Sequence, residues 1–237
     1  MCCKLTYKHY EDILMKAMAH DYEICGCMAH ISKRKTKKRI VMRHDVDKYP
    51  IRAYDIAKIE HDNKVYSTFF FRVFSDEYNI FGYETMAIIR DIEKMGHEIG
   101  YHAEPVDVSA AHADVSAEQA FTMGKKALEL LLMHGIQGAA SHREATGNNN
   151  LYQFFGKKEL KELGLVYEAY DESKLSLFTH STYITDGYEW RWRIFENGIL
   201  TNDERCLCQL LEDDREGIYC LTHPHSWYGS HLHRVNY

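Results

Sequence analysis

Short apolar runs alternate along this chain with segments whose apolar residues recur at helical spacing, and several of the strand-like runs stop on histidine, aspartate or arginine. Ile40-Val41-Met42 runs into Arg43-His44-Asp45, and Val65 to Phe71 is rich in aromatic and β-branched residues. His97 to His102, Gly138 to His142, Leu165 to Ala169 and Ile218 to Leu221 read as further strands. Helical stripes lie between them: Ala53, Ile56 and Ala57 behind Pro50, then Ile88, Ile89, Ile92 and Met95 up to Gly96. Ser116 and Gln119 have the spacing of a capping box ahead of a stripe running from Ala117 to Leu131. Residues 175–194 look strand-like but irregular and are not assigned. Strands alternating with helices predict a parallel α/β architecture. A length of 237 residues suits one large domain with a sizeable core. A further helix, with Tyr10, Ile13, Leu14, Ala17 and Met18 on one face, precedes the first strand.

In α/β barrels the C-terminal strand ends form one face, and that face carries the chemistry. Asp45 and Asp47 end the first strand of the barrel and His102 and Glu104 the third. His142 and Arg143 end the fourth, and His223 ends the last. Two carboxylates one residue apart can divide labour: one binds a divalent metal while the other, kept ionised by the cation, accepts a proton. Imidazole from His102 and His142 completes a mixed N/O set suited to zinc or a related ion. His223 is placed to act as a general acid, and either Arg43 or Arg143 to orient a carboxylate.

Other features exclude function classes. A net charge of −6 argues against a dedicated nucleic-acid binder. The one basic run, Lys33 to Arg39, reads as a solvated loop. No apolar stretch follows Met1-Cys2-Cys3-Lys4, so neither a secretion signal nor a membrane span is expected, and a cytoplasmic enzyme is. The seven cysteines include two C-x-C pairs, Cys25/Cys27 and Cys206/Cys208, whose spacing is not the C-x-x-C of zinc knuckles, so they read as reduced structural thiols. His9, His20, His61 and His134 read as surface residues, and His231 and His233 as a solvated tail. His97 reads as a strand-start hydrogen-bonding residue.

These segments resemble the motifs of the NodB-homology polysaccharide deacetylases, carbohydrate esterase family 4. Arg43-His44-Asp45-Val46-Asp47 is similar to the first motif in its R-H-D-V-D form, and Gly96 to His102 to the second, G-H-E-I-G-x-H. Arg143-Glu144-Ala145-Thr146-Gly147 is similar to R-x-P-x-G with Ala145 in place of proline, and Leu221-Thr222-His223 to the closing L-x-H. The match runs in family order over residues 39–228, and an ordered set is far more specific than any one motif. The resemblance implies a distorted (β/α) barrel of about seven parallel strands, a single domain over 1–237 with an N-terminal helix, 5–38, packed on the barrel. It implies Asp45 as catalytic base, Asp47 and His102 as metal ligands, Arg143 as the residue orienting the base, and His223 as catalytic acid. Val106 stands where a further histidine is usual, so a third ligand comes from Glu104, Asp107 or His142. His142 is preferred because it ends a neighbouring strand. The implied substrate is an N-acetylated sugar or glycan precursor, the implied cofactor zinc or another divalent metal. Alternatives are a metal-independent, allantoinase-like C–N hydrolase and a non-catalytic sugar-binding module. Trp190, Trp192, Trp227 and Tyr228 are aromatic candidates for stacking on a sugar. Asp186 is a candidate to project into the cleft, with a turn residue the preferred reading.

Overall fold

A computed structural model describes residues 3–33, 38–142, 159–170, 175, 181–188 and 191–230. The described residues of the segment expected as a single helix over 5–38 form helix, strand and helix. Helix α1 (Tyr7–Ala19) is capped by Thr6, whose hydroxyl accepts the His9 N–H, and buries Tyr10, Ile13, Leu14 and Ala17 as their spacing predicts. Asp21 then takes a left-handed backbone, φ 62°, and the chain turns into strand β1 (Glu23–Cys25) and helix α2 (Cys27–Ser32).

Strand β2 (Arg39–Val46) is longer than its apolar run, and every one of its residues is buried. Strand alternation explains how three charged or polar residues continue it. Val41 packs in an inner cluster with Phe70, Ala140, Tyr183 and Tyr219. Ile40, Met42 and Val46 join the larger cluster between the sheet and the helices. Arg39 is not part of a solvated loop: it is buried, with Nη2 2.6 Å from Glu23 Oε2.

Strands β3 (Thr68–Arg72), β4 (Glu98–Ala103), β5 (Gly138–Ser141) and β6 (Tyr167–Glu168) extend from one side of β2. β10 (Gly217–Thr222) and then β7 (Thr182–Tyr188) lie on the other, giving the order β6-β5-β4-β3-β2-β10-β7 with every pairing parallel. β1 also pairs parallel with β2, through Arg39 to Val41, while β3 pairs from Arg43 onward. The two therefore share one edge of β2 end to end. The irregular region resolves into β7 and two antiparallel additions, β8 (Arg191–Glu196) and β9 (Ile199–Leu200). Among the described residues no ladder joins β6 to β7, so the sheet is an open, barrel-like α/β array.

The helices follow the sequence pattern closely. Pro50 begins α3 (Pro50–Asp62), and α4 (Tyr83–Lys94) buries Ile88, Ile89 and Ile92. Gly96 then adopts φ 99°, a conformation only glycine takes without strain. α6 (Ala117–Leu132) opens with the Ser116–Gln119 capping box and buries Phe121, Leu128 and Leu131, each fully buried side chain contributing about 1.5–3 kcal/mol. α5 (Pro105–Ala111), between β4 and α6, has no counterpart in the strand and helix pattern read from the sequence. Among the described residues no helix is long and apolar enough to cross a membrane.

Candidate active site

Parallel register sets the C-terminal ends of β2, β4, β5 and β10 side by side: His102 is opposite Ala140 in β5, and Thr222 opposite His44 in β2. Asp45, Asp47, His102, His142 and His223 come together there. Asp45 and His102 form the floor, 3% and 2% exposed. Asp47, His142 and His223 line the mouth, each with a partly exposed side chain.

His102 Nε2 lies 3.3 Å from Asp47 Oδ1 and 3.6 Å from Asp45 Oδ2, and His142 Nε2 lies 3.6 Å from Asp47 Oδ1. The His102 and His142 rings stand edge to face, 5.1 Å apart. A four-coordinate ion with ligand bonds of about 2.0–2.2 Å separates its ligands by about 3.3–3.6 Å, which both histidine distances to Asp47 match. Outer contacts aim the ligand atoms. His102 Nδ1–H donates to the Ala140 carbonyl at 3.1 Å, leaving Nε2 with its lone pair toward Asp47. His142 Nδ1 faces Glu104 Oε2 at 3.3 Å, and Glu104 is held in turn by Arg72 Nη2 at 2.7 Å. Burial opposes ionisation of Asp47, but hydrogen bonding to His102 and the nearby His223 and His142 outweigh it and hold the carboxyl well below the usual range. Asp47, His102 and His142 therefore fit a divalent cation. Glu104 acts behind His142, and Asp107, on α5, lies outside the ligand cluster.

Across the mouth, His223 Nε2 is 4.0 Å from Asp47 Oδ2. Its Nδ1 is 2.8 Å from Asp186 Oδ1, and Asp186 also accepts the His223 backbone N–H and the Trp227 indole N–H. Asp186 is 1% exposed, so it is a buried partner of His223 and not a turn residue. Burial pulls His223 toward the neutral form, yet Asp186, with Asp47 and Asp45, raises its pKa to about 9. A Cβ on Gly187 would come within 2.7 Å of His223 Cε1, so the absent side chain makes room for this ring. Trp227, Trp192 and Tyr228 are buried and offer no stacking platform; Trp190 lies outside the described residues.

Below the floor, Arg43 is fully buried and donates to Asp45 Oδ2 at 3.2 Å, to Tyr170 Oη at 2.6 Å and to Tyr219 Oη at 3.2 Å. Arg43 thus orients Asp45, while Arg143, the other candidate for that task, lies outside the described residues. Asp45 Oδ1 finds no hydrogen-bond donor among the described residues and keeps an acceptor position uncommitted. On the opposite face of β2, His44 bridges Thr222 Oγ1 (2.6 Å) and Glu60 (3.1 Å). His97 accepts the Ser67 N–H and reaches the Ala57 carbonyl, a bracing role away from the cluster.

The Asp186–His223 bond, the space left at Gly187 and the Glu104–Arg72 pairing are the parts that motif reading misses. Spacing carries no signal for Asp186, which approaches from a different strand; for Glu104, only its position two residues after His102 was suggestive.

No protein-family model matches the chain, and no curated protein does. Similar solved structures exist. The Streptococcus pyogenes deacetylase PplD in complex with acetate is 15% identical, with 62% of this chain and 67% of that one covered and a TM-score of 0.46. A CE4 family pseudoenzyme from Bacillus anthracis is 12% identical, with 81% and 56% covered and a TM-score of 0.47. A family 4 carbohydrate esterase from Bacillus anthracis is 15% identical, with 91% and 76% covered and a TM-score of 0.42. The chain thus spans little more than half the length of the pseudoenzyme. The described motif segments lie on the ends of parallel strands of one α/β sheet, the placement that their resemblance to polysaccharide-deacetylase motifs implies.

Proposed function

We propose that this protein is a metal-dependent hydrolase that removes acetyl from an N-acetylated sugar or glycan precursor. The observation that carries the reading is the juxtaposition of an Asp47-His102-His142 triangle with Asp45 on one side and a charged His223–Asp186 pair on the other. Asp47, His102 and His142 would hold the cation, with zinc favoured by the imidazole-rich set. Such an ion acts as a Lewis acid on water and on an acyl carbonyl.

The chain's own groups supply the proton transfers. Asp45, oriented by Arg43, accepts the proton of the attacking water through its uncommitted oxygen. His223 is protonated at neutral pH, with Nδ1–H engaged by Asp186, and donates from Nε2 to the departing amine or hydroxyl. The motif resemblance suggests the acetyl group and the sugar, and the geometry supports hydrolytic chemistry. A cytoplasmic place of action is part of the proposal, in keeping with described cysteines that are all free thiols.

The test pairs elemental analysis of tag-free protein with acetate release from N-acetylhexosamine donors. Asp45→Asn should abolish turnover and keep the metal, whereas Asp47→Asn, His102→Ala and His142→Ala should lose it. Protein that binds no metal at this centre, or hydrolyses a C–N bond equally well after chelation, would exclude the metal-dependent reading.

A further inference from the structure

On the far side of the sheet's helical layer, four residues never used by the active site meet. Cys3 precedes α1, His9 lies in its first turn, and Cys206 and Cys208 flank the start of helix α7 (Leu207–Leu210). Their ligand atoms all lie within 4.8 Å of one another. Cys3 Sγ is 3.5 Å from Cys208 Sγ, and His9 Nε2 is 3.2 Å from Cys206 Sγ. In a tetrahedral zinc site with Zn–S of about 2.3 Å and Zn–N of about 2.0–2.1 Å, sulfurs stand about 3.8 Å apart and nitrogen and sulfur about 3.6 Å. Three thiols and one imidazole therefore converge within 4.8 Å of one another, with two of the separations close to the required spacing. His9 is not a plain surface residue, and the C-x-C pair meets partners that arrive from about two hundred residues away, where spacing rules cannot see them.

We propose that Cys3, His9, Cys206 and Cys208 bind a zinc ion that clamps the N-terminal segment to the segment leading into β10. Thiolate-rich donors select zinc over magnesium, calcium or manganese, and a closed set of four protein ligands marks a structural site and not a catalytic one. The surroundings are built to hold the ligands. Arg205 locks the approach to Cys206 through Asp203 and Asp213, at 2.8 Å each. Lys16 of α1 pairs with Glu212 just beyond α7 at 2.6 Å. Leu207 and Leu210 are buried beside the cluster. Binding releases the three thiol protons to solvent, so the Cys3His site with its ion carries one net negative charge. The clamp also fixes α1, whose Tyr10 packs edge-on against Trp227, the residue that supports Asp186.

Cobalt alone is the probe, added to the reduced, metal-stripped full-length chain. Thiolate ligation gives a near-ultraviolet sulfur-to-cobalt charge-transfer band, which the oxygen and nitrogen donors of the other centre cannot produce. The band should form in the wild-type chain and in Asp47→Asn/His102→Ala, and should be lost or sharply weakened in Cys208→Ser and in Cys2→Ser/Cys3→Ser. Zinc should displace the cobalt and raise the thermal midpoint by roughly 5–10 °C. No charge-transfer band in the reduced wild-type chain overturns the proposal, and this arm needs no variant to fold. A band of undiminished intensity in Cys208→Ser also overturns it. Because the readout is thiolate-specific, an inactive deacetylase would leave it untouched.

Discussion

Asp186 Oδ1 and His223 Nδ1 stand 2.8 Å apart, and the same carboxylate is closed off by the His223 backbone N–H and the Trp227 indole. The pair sets both the orientation and the charge of the proposed acid. His223, raised to about 9, stays protonated across neutral pH. Asp186→Asn should lower kcat on the order of 10² to 10⁴-fold. The alkaline limb of the kcat/KM profile should move down toward the ordinary histidine value of about 6.5. The raised pKa also means that the pair's contribution to stability is complete below about pH 6.5 and is lost as pH rises through about 9. An unchanged alkaline limb in Asp186→Asn would show that another group donates the proton.

Glu104 faces His142, one of the proposed metal ligands, and would act on the cation through it. Glu104→Gln removes the charge that faces His142 Nδ1 while keeping the side chain's size. Metal affinity should fall by about 10 to 100-fold, the usual consequence of losing a carboxylate behind a ligating histidine. Competition with a calibrated chelator reads this directly. An affinity equal to wild type would assign Glu104 to bracing Arg72 alone.

Gly187→Ala tests the space beside the acid. Its Cβ would sit 2.7 Å from His223 Cε1, so the ring must rotate or shift. Turnover should drop on the order of tenfold with metal content unchanged, because the atoms nearest the added Cβ belong to His223 and Thr185 and not to the proposed ligands. Full activity in Gly187→Ala would mean that His223 has freedom the packing does not suggest.

Glu60 is a buried carboxylate that accepts from Tyr10 Oη at 2.6 Å, Ser67 Oγ at 2.5 Å and His44 Nε2 at 3.1 Å. Burial raises its pKa, but His44 and the hydrogen bonds prevail and lower it overall. Its contribution to stability is therefore present above the ordinary glutamate range and is lost as pH falls through the lowered value. Glu60→Ala strands three donors in the core and should cost about 3–5 kcal/mol. Urea unfolding at neutral pH measures the loss; a midpoint within error of wild type would remove Glu60 from the stabilising network.

The sequence by itself determined the architecture's period and the position of its polar strand ends. Apolar runs and helical stripes are local properties, so α3, α4, α6 and six of the parallel strands were legible, with β1 and β7 unread, as were Asp45, Asp47, His102, His142 and His223. Alternation within β2 was legible too, since period two necessarily sends Arg43 and Asp45 to one face and His44 to the other. What each face meets was not legible. Parallel register alone decides that His102 lies against Ala140, that β7 brings Asp186 under His223, and that Glu104 stands behind His142. The N-terminal region shows the same limit. Its helical stripe continued to suggest helix, but β1 gains a backbone ladder on β2 that no local propensity encodes. Cys3, His9, Cys206 and Cys208 carry no spacing signal because they come together only when the two ends of the chain pack side by side. Chemistry at strand ends is written locally; partnerships between distant segments exist only once the sheet has closed the distance.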